Sequence, residues 1–165
     1  MFLKAVTELP IDFEAVRDAM QGRPECWLGG LAEAAGDDQD RLLVDVGLGD
    51  GRRLTRPAML QLGPPAMLGD RVVSLPLRLR MADRAELFPV LEGELAAAWL
   101  GADRTYLALA LQYEPPFGLL GRLADGTLLH RVAELVVQHL LERIAGRLTA
   151  LCAAPVDRTP CVAAV

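Results

Sequence analysis

The sequence predicts an α+β domain in which a curved antiparallel sheet wraps around one long C-terminal helix. Three observations carry this. Between positions 41 and 114 the hydrophobic pattern repeats every two residues and is cut into segments by turn signals. From Thr127 to Leu151 the pattern changes to a helical period and runs unbroken. The chain is 52% hydrophobic but only 5% aromatic, so its interior must be built from Leu, Val and Ala.

The elements follow in order. Phe2 to Glu8 alternates and is bounded by Pro10, which reads as a first strand. Asp12 is placed as an N-cap, with Phe13, Val16 and Met20 at helical spacing behind it and Gly22 as the stop. Pro24 and Glu25 open a second short helix whose apolar positions are Trp27, Leu28, Leu31 and Ala35. Arg41 to Leu48 is a strand, Gly49-Asp50-Gly51 a hairpin turn, and Leu54 to Leu62 the return strand. Gly69-Asp70 marks another turn before Arg71 to Met81. There Val73, Leu75, Leu77, Leu79 and Met81 share one face, Ser74, Arg78 and Arg80 the other, and Pro76 signals an edge or a bulge. Phe88 to Trp99 and Thr105 to Glu114 are the last two strands, joined by Gly101-Ala102-Asp103 and stopped by Pro115-Pro116.

The final helix carries Leu129, Val132, Val136, Leu140, Ile144, Leu148 and Leu151 as one stripe. From Thr127 to Leu151 it would be about 37 Å long, enough to cross the whole sheet. A meander of this size must hide its apolar face, and only this helix is long enough to cover it. The result is a helix-grip arrangement with two short helices after the first strand. It forms a single domain over residues 1–151, and 152–165 reads as a disordered tail.

Composition excludes several functions. A formal net charge of −5 disfavours nucleic-acid binding, which needs a basic face. No apolar run is long enough to span a bilayer, and the N-terminus lacks the pattern of a signal peptide. Cys26, Cys152 and Cys161 are odd in number and lack metal-ligand spacing, which fits a reducing cytoplasm and no structural metal. Gly47, Gly49 and Gly51 precede a strand rather than a helix and so do not form a phosphate loop. No cofactor is implied.

The order of elements resembles the Bet v 1-like superfamily, also called START-like or SRPBCC, and in particular its actinobacterial members. The residues that carry the resemblance are Leu87-Phe88-Pro89, the stretch from Arg104 to Pro116 (RTYLALALQYEPP), Phe117-Gly118, Gly121, and Leu129 to Glu134 in the final helix. The order of elements covers residues 1–151, and the local pattern about 88–145. These motifs mark a strand stop and the start of a helix. The resemblance implies a hydrophobic cavity between sheet and helix, of the kind that holds lipids, sterols, polyketides or plant hormones. A minority of the superfamily are cyclases or dehydratases.

The leading expectation is therefore a protein that binds or carries a hydrophobic small molecule, lipid or polyketide-like, lined by Trp27, Leu79, Trp99, Leu109, Val136 and Leu140. One alternative is a polyketide cyclase- or dehydratase-like enzyme, for which Glu94 and His139 are the candidate acid–base pair. Another is a cavity-free interaction module whose small residues, such as Ala108 and Ala110, receive the helix directly. An edge strand such as Leu54 to Leu62 would offer a route to a homodimer. Glu92 and Glu94 are expected on the wet face, within reach of Arg78 and Arg80 across the sheet. His130 and Glu134 read as a surface pair four residues apart.

Overall fold

A computed structural model describes residues 1–28, 32–34, 41–46, 56–82, 90–113 and 126–153. The chain begins with β1 (Phe2–Leu9), α1 (Phe13–Gln21) and α2 (Pro24–Leu28). Seven further strands follow: β2 (Ala32–Ala34), β3 (Arg41–Val46), β4 (Arg56–Leu62), β5 (Ala66–Met67), β6 (Val72–Met81), β7 (Leu91–Gly101) and β8 (Arg104–Tyr113). The long helix α3 (Gly126–Ala153) closes the described chain. The strands form one curved antiparallel sheet in the order β1-β8-β7-β6-β4-β3-β2, with β5 paired beside β4 on the same edge of β6. This is the helix-grip architecture expected from the sequence.

Alternation fixes the two faces of the sheet. Leu3 and Ala5 of β1 stand opposite Leu111 and Leu109 of β8, Leu9 stands opposite Thr105, and Leu107 lies on the same inward face. Leu95 and Ala97 of β7, then Val73, Leu75, Leu77 and Leu79 of β6, continue the same face. Ala58, Leu60 and Leu62 of β4 extend it further. Every one of these side chains is buried. The opposite face carries Lys4, Glu92, Arg78, Arg80 and Gln112, and stays wet.

α1 starts where Asp12 caps it, with Asp12 Oδ1 accepting a hydrogen bond from the Ala15 N–H at 3.0 Å. Its buried positions are Phe13, Val16 and Met20, as their spacing requires. The turn into α1 is tied to the sheet by Thr105, fully buried, whose hydroxyl donates to the Ile11 carbonyl at 2.9 Å. At Gly69, φ is +69°, a left-handed turn conformation that glycine adopts without strain.

Two expectations need correction, and a third, Pro76 at an edge or a bulge, resolves to a break in the ladder. The second helix ends at Leu28, and residues 32–34 are the edge strand β2 rather than helix. Gly29 and Gly30 are poor helix formers, and a sheet edge offered by β3 supplies the backbone bonds instead. Residues 56–62 are not an edge, because β4 is flanked by β3 and β6, which removes them as a route to a homodimer. Pro76 lies in an interior strand, at the point where β6 changes partner from β4 to β5 around Gly63-Pro64-Pro65. Its carbonyl still accepts from the Gly63 N–H at 2.8 Å, and the missing N–H of proline falls where the ladder is already broken.

The buried face of α3 is broader than the single stripe. Val137, Leu140, Leu141, Ile144, Ala145 and Leu148 are buried, Val136 is half-buried and Leu151 is exposed. The reason is that α3 packs on β1 and β8 along one side and on α1 and α2 along another. The side chains of Leu129, His130 and Val132 lie outside the description, as do the hairpin turn at 49–51, Leu31, Ala35, residues 83–89, 114–125 and the tail from 154.

Candidate functional site

The site anticipated from the sequence is the apolar space between the sheet and its helices. The structure gathers Trp27, Leu79, Leu109 and Leu140 into one buried cluster, with Val136 packed against it. Each arrives there for a local reason. Leu79 and Leu109 occupy inward positions of β6 and β8. Leu140 lies on the buried side of α3. Trp27 is carried inward by the single turn and a half of α2, which is wedged against α1, α3 and β2.

Trp99 is the exception. It lies beside the β-bulge between Trp99 and Gly101, is 44% exposed, and holds the Arg71 guanidinium 4.5 Å above its ring. This is a cation–π pair at the end of the sheet, outside the buried cluster.

Glu94 and His139 are not brought together. Glu94 projects from the outer face of β7, where its Oε2 accepts a hydrogen bond from the Ser74 hydroxyl at 2.6 Å. His139 sits half-buried on α3, its Nδ1 4.0 Å from Glu142 Oε2. The helix packs on the inner face, so the sheet stands between the two groups. Glu92 also points outward and meets Arg78 Nε at 3.0 Å, as cross-strand pairing anticipated. Both partners of that pair are more than half exposed, which leaves it little energetic weight.

Two clefts open on the outer face and rim. One, of about 340 Å³, is bordered by Phe2, Pro76, Glu94, Ala110 and Gln112. The other, of about 820 Å³, is bordered by Met1, Phe2, Val90, Glu92, Gln112 and Tyr113. Both are open to solvent, and their carboxylates already have partners in Ser74 and Arg78. Neither offers the enclosed apolar walls that hold a hydrophobic molecule. Tyr113 at this rim has its phenol pushed up by burial, and its hydroxyl lies 3.0 Å from the Met1 sulfur. On α3, burial and then the Asp12 carboxylate push the Cys152 thiol up, so it is a weak nucleophile at neutral pH.

One feature of the interior escaped the sequence reading. The Trp27 side chain is 1% exposed, and its indole Nε1–H meets no acceptor among the described residues. A buried donor left unmatched costs roughly 1–3 kcal/mol. The sequence signal was the tryptophan itself, whose single polar atom needs a partner wherever the ring is buried.

No protein-family model and no curated protein matches the chain. Solved structures do. A START superfamily protein from Mycobacterium smegmatis is 17% identical, with a TM-score of 0.58 over 91% of this chain and 98% of its own. The Zhui aromatase/cyclase from Streptomyces sp. R1128 is 20% identical, with a TM-score of 0.56 over 93% and 96%. Truncated norcoclaurine synthase from Thalictrum flavum is 12% identical, with a TM-score of 0.55 over 94% of both chains. At these identities the likeness is one of fold. The chain has the START-like, or SRPBCC-like, helix-grip fold that its sequence resembles.

Proposed function

We propose that this protein binds and carries a hydrophobic small molecule, lipid or polyketide-like, between the inner face of the sheet and the long helix. The observation that carries the reading is the chemistry of that inner face. From β1 through β8, β7, β6 and β4 its buried side chains are Leu, Ala and Val, with Thr105 at one end and already bonded to a backbone carbonyl. A surface of this composition recognises its ligand by shape and apolar area, at about 25 cal/mol per Å² buried. The START superfamily protein and the aromatase/cyclase that share the fold support a ligand-holding interior.

Binding is favoured over cyclase-like turnover because the two groups weighed as an acid–base pair stand on opposite sides of the sheet. It is favoured over a solid interaction module by the unmatched donor of Trp27 inside the cluster. We place the carrier in the cytoplasm on its cysteine usage, an odd number without metal-ligand spacing. No described helix is long and apolar enough to cross a membrane.

Titration with N-phenyl-1-naphthylamine tests the proposal. A carrier gives a saturable rise in fluorescence at one dye per chain, reversed by a long-chain fatty acid or a polyketide-like competitor. A folded protein that gives no saturable signal would rule out the carrier.

A further inference from the structure

We infer that Trp27 Nε1–H is the polar anchor of the site, and that the ligand class is a hydrophobic molecule bearing a hydrogen-bond acceptor, such as a keto or ester oxygen. This deepens the carrier reading and rests on it.

The argument starts from burial. The Trp27 ring belongs to the same apolar cluster as Leu79, Leu109 and Leu140, and its 1% exposure keeps the indole nitrogen from bulk solvent. Buried indole N–H groups normally find a partner. Here none of the described residues provides one. The other buried polar side chains behave differently. Thr105 donates to the Ile11 carbonyl, and Ser74 donates to Glu94. Trp27 is therefore the one unmatched buried side-chain donor among the described residues.

Position makes the donor useful. α2 is wedged between α1, α3 and β2, so the ring is carried on an element packed on three sides and is itself buried. A buried donor in an otherwise aliphatic wall sets orientation. An oxygenated ligand that meets it gains a hydrogen bond in a low-dielectric setting, whereas a hydrocarbon of the same shape leaves the donor unmatched. Such sites discriminate strongly against the analogue that lacks the polar group. Indole donates only, so the ligand atom must accept, and an ammonium group is disfavoured.

The test uses two probes of matched size, 2-acetylnaphthalene and 2-ethylnaphthalene, with the ¹⁵N-labelled full chain. The protein has two tryptophans, which gives two indole N–H resonances and makes the exposed Trp99 an internal control. The ketone is expected to bind about 5-fold or more tightly than the hydrocarbon after correction for their partitioning. It should move the Trp27 resonance and leave that of Trp99 in place. In Trp27→Phe, which keeps an aromatic ring and removes the donor, the preference should vanish while hydrocarbon binding persists. If that variant fails to fold, the wild-type resonances and affinities still decide. Equal binding of both probes with an unmoved Trp27 resonance would overturn the anchor and leave the carrier standing. Binding of neither probe would overturn both.

Discussion

Gly93→Ala is expected to destabilise the protein by at least about 3 kcal/mol, which for a domain of this size is a fall in melting temperature of roughly 6–12 °C. Gly93 stands opposite Leu111 in the β7–β8 ladder. A Cβ built there would fall on the Ala110 carbonyl oxygen and lie 2.9 Å from Leu111 Cα. Both obstacles are backbone, so no rotamer change relieves them. The strands must part, and the sheet loses ladder bonds between two of its central members. Gly101→Ala is the matched control. It lies in the same strand, nothing stands within 4 Å of an added Cβ, and its expected effect is within about 0.5 kcal/mol. Thermal unfolding followed by circular dichroism separates the two. A Gly93→Ala protein as stable as the wild type would mean that β7 and β8 do not approach as closely as described.

The second large effect is in the grip itself. Leu141→Ala should cost about 3–4 kcal/mol by chemical denaturation, since a fully buried leucine is removed where α3 meets the rest of the core. Leu135→Ala, six residues earlier on the same helix and 58% exposed, should change stability by less than about 0.5 kcal/mol. Similar costs at the two positions would show that α3 does not present this face to the sheet.

These two sites also show what the sequence could disclose. The alternation in β6 and β8 is long and regular, so the inward faces of Leu75, Leu77, Leu79, Leu107, Leu109 and Leu111 could be read directly. A helical stripe locates Leu140, Ile144 and Leu148 but not Leu141, because a helix packed on two sides buries more than one row. Gly93 carried a legible signal, an isolated glycine inside a strand, and its consequence needed the β8 backbone to be placed. Trp99 is expected among the lining residues, and a bulge beside it and the end of the strand defeat that expectation. The separation of Glu94 from His139 depends on which face of the sheet receives α3, and a pattern of two cannot say that alone. For Trp27, burial followed from its place in α2, whereas the missing acceptor is a property of its assembled neighbours.

Native mass spectrometry of gently purified full-length protein, followed by organic extraction, tests the central claim most directly. The account predicts a discrete adduct of one molecule per chain, lost on denaturation and recovered in the extract as a hydrophobic, oxygen-bearing compound. A protein that flies as the bare chain, yields nothing on extraction and fails to take up 2-acetylnaphthalene would contradict it.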